Sequence, residues 1–359
     1  METRKLQEVG GGTYTVSVPK RWAEDEHLAA GAEVYLSERG DGTILLSSEP
    51  ATEDPLGTAE VAIDDVAPEG VGETVRQAYV AGFRSIDLTA TGGPSAAQRR
   101  AVDDAVRSLV GAITDGAGTG EAGDGEGDAG EPAATRTSVR FAIDPAEVSV
   151  RQSVGQLRHA ARATQREGAA AFATRESAAD RLRLRLDEAD RQHTLVARQA
   201  NRARHSAAVL DQLSVDRPAL ADAAAIASSL HAVAELGVAL AEAGERRDGG
   251  APIGCGDRLI EAAEAAREAV DDAVAAAIDE PDPGAARVAR RRADDVTSRL
   301  ASLDADVCDA AASQPGSGRD AVATVRALDA VERTATEGAA IARVALRAGL
   351  REGQAATDE

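Results

Sequence analysis

The chain has 359 residues, with 61 Asp and Glu against 40 Lys and Arg and a formal charge of −21. That length fits two or three domains, and the acidic balance excludes a protein that coats DNA with its whole surface, because phosphates repel it. Cys255 and Cys308 are the only cysteines and neither has a Cys or His at ligand spacing, so no zinc site follows from them and a reduced cytoplasm is the simplest setting.

The first periodic stretch runs from Thr13 to Val18, where Tyr14, Val16 and Val18 alternate with Thr13, Thr15 and Ser17. Period two with β-branched and aromatic residues predicts a half-buried strand, which Pro19 stops because it cannot donate to a ladder. A short polar helix is expected from Arg21 to Leu28. After Gly31 a second strand runs through Val34, Tyr35 and Leu36, Gly40-Asp41-Gly42 turns the chain, and Ile44, Leu45 and Leu46 make a third strand. A unit of about fifty residues is too small to bury a good core alone, so it should pair with a copy of itself.

Residues 49–55 are polar and end at a proline, which suggests a linker. A small α/β unit over residues 56–144 follows. Strands are expected at Val61–Ile63, Ser85–Leu88 and Thr137–Ile143, with helices over Gly72–Ala81 and from the cap Ser95 to Leu109. Residues 116–132 are Gly, Ala, Asp and Glu without a large apolar side chain, and this composition predicts a disordered acidic insertion in a surface loop.

From Pro145 on, everything reads as helix. Leu182, Leu186, Ala189, His193, Val196, Ala200, Ala203, Ala207 and Leu210 step by four and three, a heptad seam over about four heptads. Asp216 caps the next helix, with Pro218 in its first turn. Two sets of three helices are expected, over residues 145–244 and 256–350. The closing helices align so that Gly237 and Gly338 coincide, which suggests an internal duplication. The seven aromatic residues all precede residue 173, so the helical part builds its core from Ala, Leu, Val and Ile.

Two resemblances organise these elements. Thr15-Val16-Ser17-Val18-Pro19-Lys20, the following helix, the Leu28-to-Val34 turn into strand and the closing Ile44-Leu45-Leu46 resemble the AbrB/SpoVT family of swapped-hairpin DNA-binding domains. The resemblance covers residues 1–49 and implies a dimeric all-β barrel with a basic face on DNA, formed here by Arg4, Lys5, Lys20 and Arg21. Val331-Glu332-Arg333, Ala339-Ala340-Ile341-Ala342 and the acidic stretches Asp187–Arg191 and Arg292–Val296 resemble the PhoU family of phosphate uptake regulators. That resemblance covers residues 145–352 and implies two three-helix bundles.

PhoU proteins hold metal clusters on pairs of acids four residues apart, which share one helix face. Here the pairs are broken. His231 and Glu235 stand in the first half and Glu332 and Thr336 in the second; on the middle helices Leu186 precedes Asp190, and Thr297 replaces the last acid. Asp190, His231 and Glu235 are the residues left for a metal site in the first half, against the alternative of a solvated acidic face, and metal binding is expected to be weak or absent. His193, on the heptad seam, reads as a core or interface residue.

Lys5 and Lys20 are the only lysines. With many acids and much alanine, this suggests an extreme halophile, an archaeon resembling those in which an AbrB-type domain precedes a PhoU domain; an acidic protein of a GC-rich genome is the alternative. No leader pattern is read at the N-terminus and no run approaches the ~20 apolar residues of a spanning helix, so the expected location is cytoplasmic, without membrane insertion. No nucleophile elbow, phosphate loop or Cys/His pairing occurs, so no catalysis and no cofactor are expected. The resulting expectation is a multidomain homodimeric regulator that binds DNA and controls phosphate uptake. The alternative is an adaptor without DNA that docks a phosphate ABC transporter or a signalling protein.

Overall fold

The computed structural model describes residues 3–9, 12–38, 42–48, 56–118, 134–248, 255–278, 281–313 and 318–355. These fall into two units, 1–55 and 56–359, each taken by itself.

The first unit is two hairpins and a helix. Strands β1 (Gln7–Val9) and β2 (Thr13–Thr15) pair antiparallel with Glu8 opposite Tyr14; after helix α1 (Lys20–Asp25), β3 (Tyr35–Glu38) pairs with β4 (Ile44–Ser47) with Leu36 opposite Leu46. The two hairpins form separate sheets. Gly31 and Gly42 take positive φ, +92° and +77°, where the chain turns. The alternating stretch is strand only as far as Thr15, and β1 had no period of its own to betray it. No described residue of this unit is buried. Tyr14, Val16, Val18, Tyr35, Leu36 and Ile44 all lie open to solvent, Tyr14 at 68% and Leu36 at 70% exposure.

The second unit begins with a sheet of order β5-β6-β8-β7, formed by β5 (Thr58–Ala62), β6 (Ser85–Thr91), β7 (Ala112–Gly118) and β8 (Ala134–Phe141). β5 runs parallel to β6, and the other pairings are antiparallel. Helices α2 (Pro68–Ala81) and α3 (Ala96–Ser108) cover one face, where Val71, Val75, Tyr79 and Val102 meet Ile86, Leu88, Val139 and Phe141. Ser95 caps α3 in a full capping box with Gln98, whose amide also donates to the carbonyls of Ile63 and Val66 at 2.9 Å.

One expectation changes here. Gly116–Gly118 belong to β7, with Gly118 opposite Arg136 beyond a bulge, so the segment expected as an insertion over 116–132 begins inside a strand. Residues 119–132 lie outside the described residues. Glycine-rich sequence reads as loop, but a strand edge can be held by the ladder of its partner alone.

Six long helices follow: α4 (Val150–Thr174), α5 (Ala179–His205), then, after the short α6 (Ala207–Leu213), α7 (Arg217–Glu245), α8 (Cys255–Ile278), α9 (Pro283–Ser313) and α10 (Gly318–Ala355). The heptad seam is interrupted at Ser206, which lies extended at φ −134° and separates α5 from α6. α4, α5 and α7 pack as one triple, α8, α9 and α10 as a second, and the triples join through α7 against α10 and α4 against α8. A Cβ on Gly237 would lie 2.6 Å from the Gln165 nitrogen on α4, and one on Gly338 would lie 3.2 Å from the Val270 nitrogen on α8. The two glycines therefore occupy matching crossings of closing helix on first helix. α7 is long and apolar enough to cross a membrane by length and composition, which the reading of short apolar runs did not anticipate. Here it is the shared central helix, buried against α4, α5 and α10.

The sheet unit is clamped to α5. Arg198 is 1% exposed; its Nη1 donates to the Tyr79 carbonyl at 2.6 Å and its guanidinium lies 4.8 Å from the Tyr79 ring and 5.2 Å from that of Phe141. Asn201 donates to the Val80 carbonyl at 2.7 Å. Both acceptors are in the last turn of α2, where carbonyls lack helical partners and a cation meets the negative end of the dipole.

Candidate functional site

The expected DNA face lies on the first unit. Arg4 and Lys5 precede β1, and Lys20 and Arg21 open α1 just beyond β2. Gln7 pairs with Thr15, so both basic pairs leave the hairpin at its open end. All four residues are exposed. Pro19 gives α1 its start without a side-chain cap. Lys20 Nζ lies 3.4 Å from Glu24 and Arg21 Nε 3.7 Å from Asp25, one helical turn on. Such exposed pairs contribute little and exchange readily for a phosphate.

The second cluster lies between α5 and α7. Asp190, His193 and His231 each offer a ligand atom, and these atoms lie within 4.8 Å of one another. Asp190 and His193 are three residues apart on α5 and so share a face. His231 Nε2 is 3.4 Å from Asp190 Oδ1, while the second carboxylate oxygen takes Arg76 Nη1 from α2 at 2.6 Å. The two imidazoles stack, with centroids 4.7 Å apart and planes at 21°. His193 Nε2 is 3.3 Å from Ser228 Oγ.

Burial raises the Asp190 carboxyl, but the hydrogen bond from His231 and the Arg76 charge outweigh it and leave Asp190 below the ordinary carboxylate value. Burial lowers the His193 imidazole below its ordinary value, the neighbouring His231 lowers it further and Asp190 opposes both. Asp190 is therefore ionised and His193 neutral near pH 7, the forms in which both are ligands.

Of the three residues expected from sequence, the structure brings Asp190 and His231 together and sets Glu235 apart. Its carboxylate lies 3.9 Å from the other ring nitrogen of His231, Nδ1, with the side chain 57% exposed. His193, read from sequence as a core or interface residue, lies half-buried where α5 meets α7 and stands beside Asp190 and His231. The available signal was the Asp190-to-His193 spacing; the heptad seam masked it. In the second half Thr336 and Thr297 turn their hydroxyls back onto the carbonyls of Glu332 and Ala293, and no donor cluster forms there among the described residues.

Residues 7–54 match the family model described as antidote-toxin recognition MazE, bacterial antitoxin. The match spans both hairpins and α1 and supports an AbrB-like swapped-hairpin domain over these residues. No curated protein matches the chain significantly.

Proposed function

We propose that this chain is a cytoplasmic, dimeric DNA-binding transcriptional regulator from a halophilic archaeon, in which the N-terminal units of two copies exchange hairpins and the helical part is a PhoU-like module that places it in the control of phosphate uptake. The observation that carries the dimer is the bare first unit: its apolar strand residues are exposed and none of its described residues is buried. Hairpins of three and four residues do not stand alone in water, and a second copy offers the complementary surface in equal amount. The basic pairs at the hairpin's open end support DNA as ligand. The duplicated helical triples with matching Gly237 and Gly338 support the PhoU-like part.

Light scattering in molar salt should give twice the 36.8 kDa chain mass, and fluorescence anisotropy with genomic fragments at moderate salt should show binding. A strict monomer removes the swapped-hairpin reading. Binding indifferent to substitution of Arg4, Lys5, Lys20 and Arg21 moves the reading to the adaptor that docks a transporter or signalling protein.

The MazE match favours a second reading, the antidote half of a toxin–antidote pair. A cell needs an antidote for as long as its toxin is made. Normal growth after deletion of this gene alone removes that reading.

A further inference from the structure

We propose that Arg287, Arg290, Arg291 and Arg343 form a binding site for a compact anion with two phosphoryl groups, between the start of α9 and the end of α10.

Charge comes first. The chain carries −21, and arginines of the helical part commonly face a carboxylate, as Arg158 faces Asp271 and Arg185 faces Glu167. Around one cavity this pattern fails. The cavity, of about 210 Å³, is lined by Ala286, Ala342 and Leu346, by Arg287, Arg290 and Arg291 from α9 and by Arg343 from α10, with no acid in its lining. Ala286 and Ala342 are buried and form its floor, while all four arginines are exposed. Arg290 has Asp294 at 3.6 Å. The side chains of Arg287, Arg291 and Arg343 make no ion pair among the described residues. The next residue, Arg292, turns to α8 instead and takes Asp272 at 2.6 Å and Glu268 at 3.3 Å.

These charges work against their own helices. Arg287 and Arg291 are four residues apart, as are Arg343 and Arg347, and like charges at that spacing oppose the helix. An anion between α9 and α10 turns each of these contacts favourable. Four guanidiniums less the Asp294 carboxylate leave three positive charges. A phosphoryl group carries about −1.5 to −2 at pH 7, so two of them match. Carboxylates carry one charge each, and three would have to share a cavity smaller than the ~300 to 1,000 Å³ of drug-sized sites. The planar fork of guanidinium also suits phosphoryl oxygens, which it holds in pairs. Inorganic diphosphate and the diphosphate of a nucleotide present the same head to the site. The site is independent of the proposed DNA contact, which lies on other residues.

The test uses the full chain without Mg²⁺, which would compete for the phosphoryl oxygens. Titration calorimetry should show one inorganic diphosphate per chain, held at least tenfold more weakly after Arg287→Gln with Arg291→Gln and after Arg343→Gln. Lys20→Gln with Arg21→Gln should leave that affinity unchanged, which separates this site from the proposed DNA contact. ADP in a parallel titration names the source: tighter binding of ADP assigns the site to a nucleotide, and equal or weaker binding assigns it to free diphosphate. Arginine modification by phenylglyoxal reads the unaltered protein. Diphosphate should protect Arg287, Arg291 and Arg343, and leave Arg299, exposed on the same helix outside the cavity, as reactive as before. Absence of binding, affinity indifferent to both arginine variants, equal competition by citrate, or equal protection of Arg299 overturns the site.

Discussion

Gly237 and Gly338 look equivalent in sequence, yet one atom added to each meets different neighbours. At Gly237 a Cβ would lie 2.6 Å from the nitrogen of Gln165 and from the carbonyl carbon of Thr164, both backbone. At Gly338 the nearest atoms are at 3.2–3.3 Å, a gap that a few tenths of an ångström relieves. Against these contacts stands the gain of Ala over Gly inside a helix, about 1 kcal/mol. Gly237→Ala should therefore cost about 3 kcal/mol through overpacking, while Gly338→Ala should fall within about 1 kcal/mol of the parent. Urea unfolding of the two variants in one buffer decides it, and equal losses would show that the two crossings are equally tight. The site residues teach a related lesson. Asp190 and His231 were legible as polar residues in register on two helices, but the place of His193 beside them was not, because a histidine on an apolar seam has the same spacing whether it packs or faces polar partners. Its ring stack on His231 depends on how α5 is rotated against α7, which spacing along one helix does not specify.

Among the elements, the helices were legible because each carries an apolar stripe of its own, and Ser95, Asp216 and Pro218 mark their starts. The misses share a cause. β1 and β7 are held by pairing to β2 and β8 and not by their own residues. The break at Ser206 falls inside a seam whose periodicity continues across it. The joint of α2 to α5 was equally invisible, since it rests on Arg198 and Asn201 capping the carbonyls of another helix. Arg198→Met keeps much of the bulk and removes the guanidinium from the Tyr79 carbonyl and from both rings. It should cost about 2 kcal/mol, the scale of one charged hydrogen bond with its cation–π contacts. Hydrogen exchange should then quicken in β5–β8 and α2 while α8–α10 keep their protection; uniform acceleration would mean that Arg198 holds the whole unit and not this joint. A deletion of residues 120–131, whose composition holds no large apolar side chain, should shift stability by less than about 1 kcal/mol, since the entropy of closing the connection from β7 to β8 changes only slowly with its length. Calorimetry would contradict this with a larger loss. A deletion that also takes Gly116–Gly118 cuts into β7 and should cost more.

At the scale of the whole molecule, the proposed function requires a chain of charge −21 to approach a polyanion. Long-range repulsion is screened within about 10 Å at 0.1 M salt and about 3 Å at 1 M, so only the charges that meet the DNA matter under halophilic conditions. Lys20 and Arg21 lie one turn from Glu24 and Asp25, and a phosphate must displace both carboxylates to be bound. In a dimer the four basic positions become eight, and their effect comes from several weak exchanges made together. Replacing Lys20 and Arg21 by Gln in each copy removes four of these charges. Affinity for all sequences should then fall alike, and the slope of log affinity against log salt should drop by roughly 0.9 for each phosphate that is no longer neutralised. If these side chains reach base edges, the same variant changes the ranking of sequences instead. Anisotropy titrations at several salt concentrations separate the two, and a slope unchanged by the double substitution would remove the start of α1 from the proposed DNA contact.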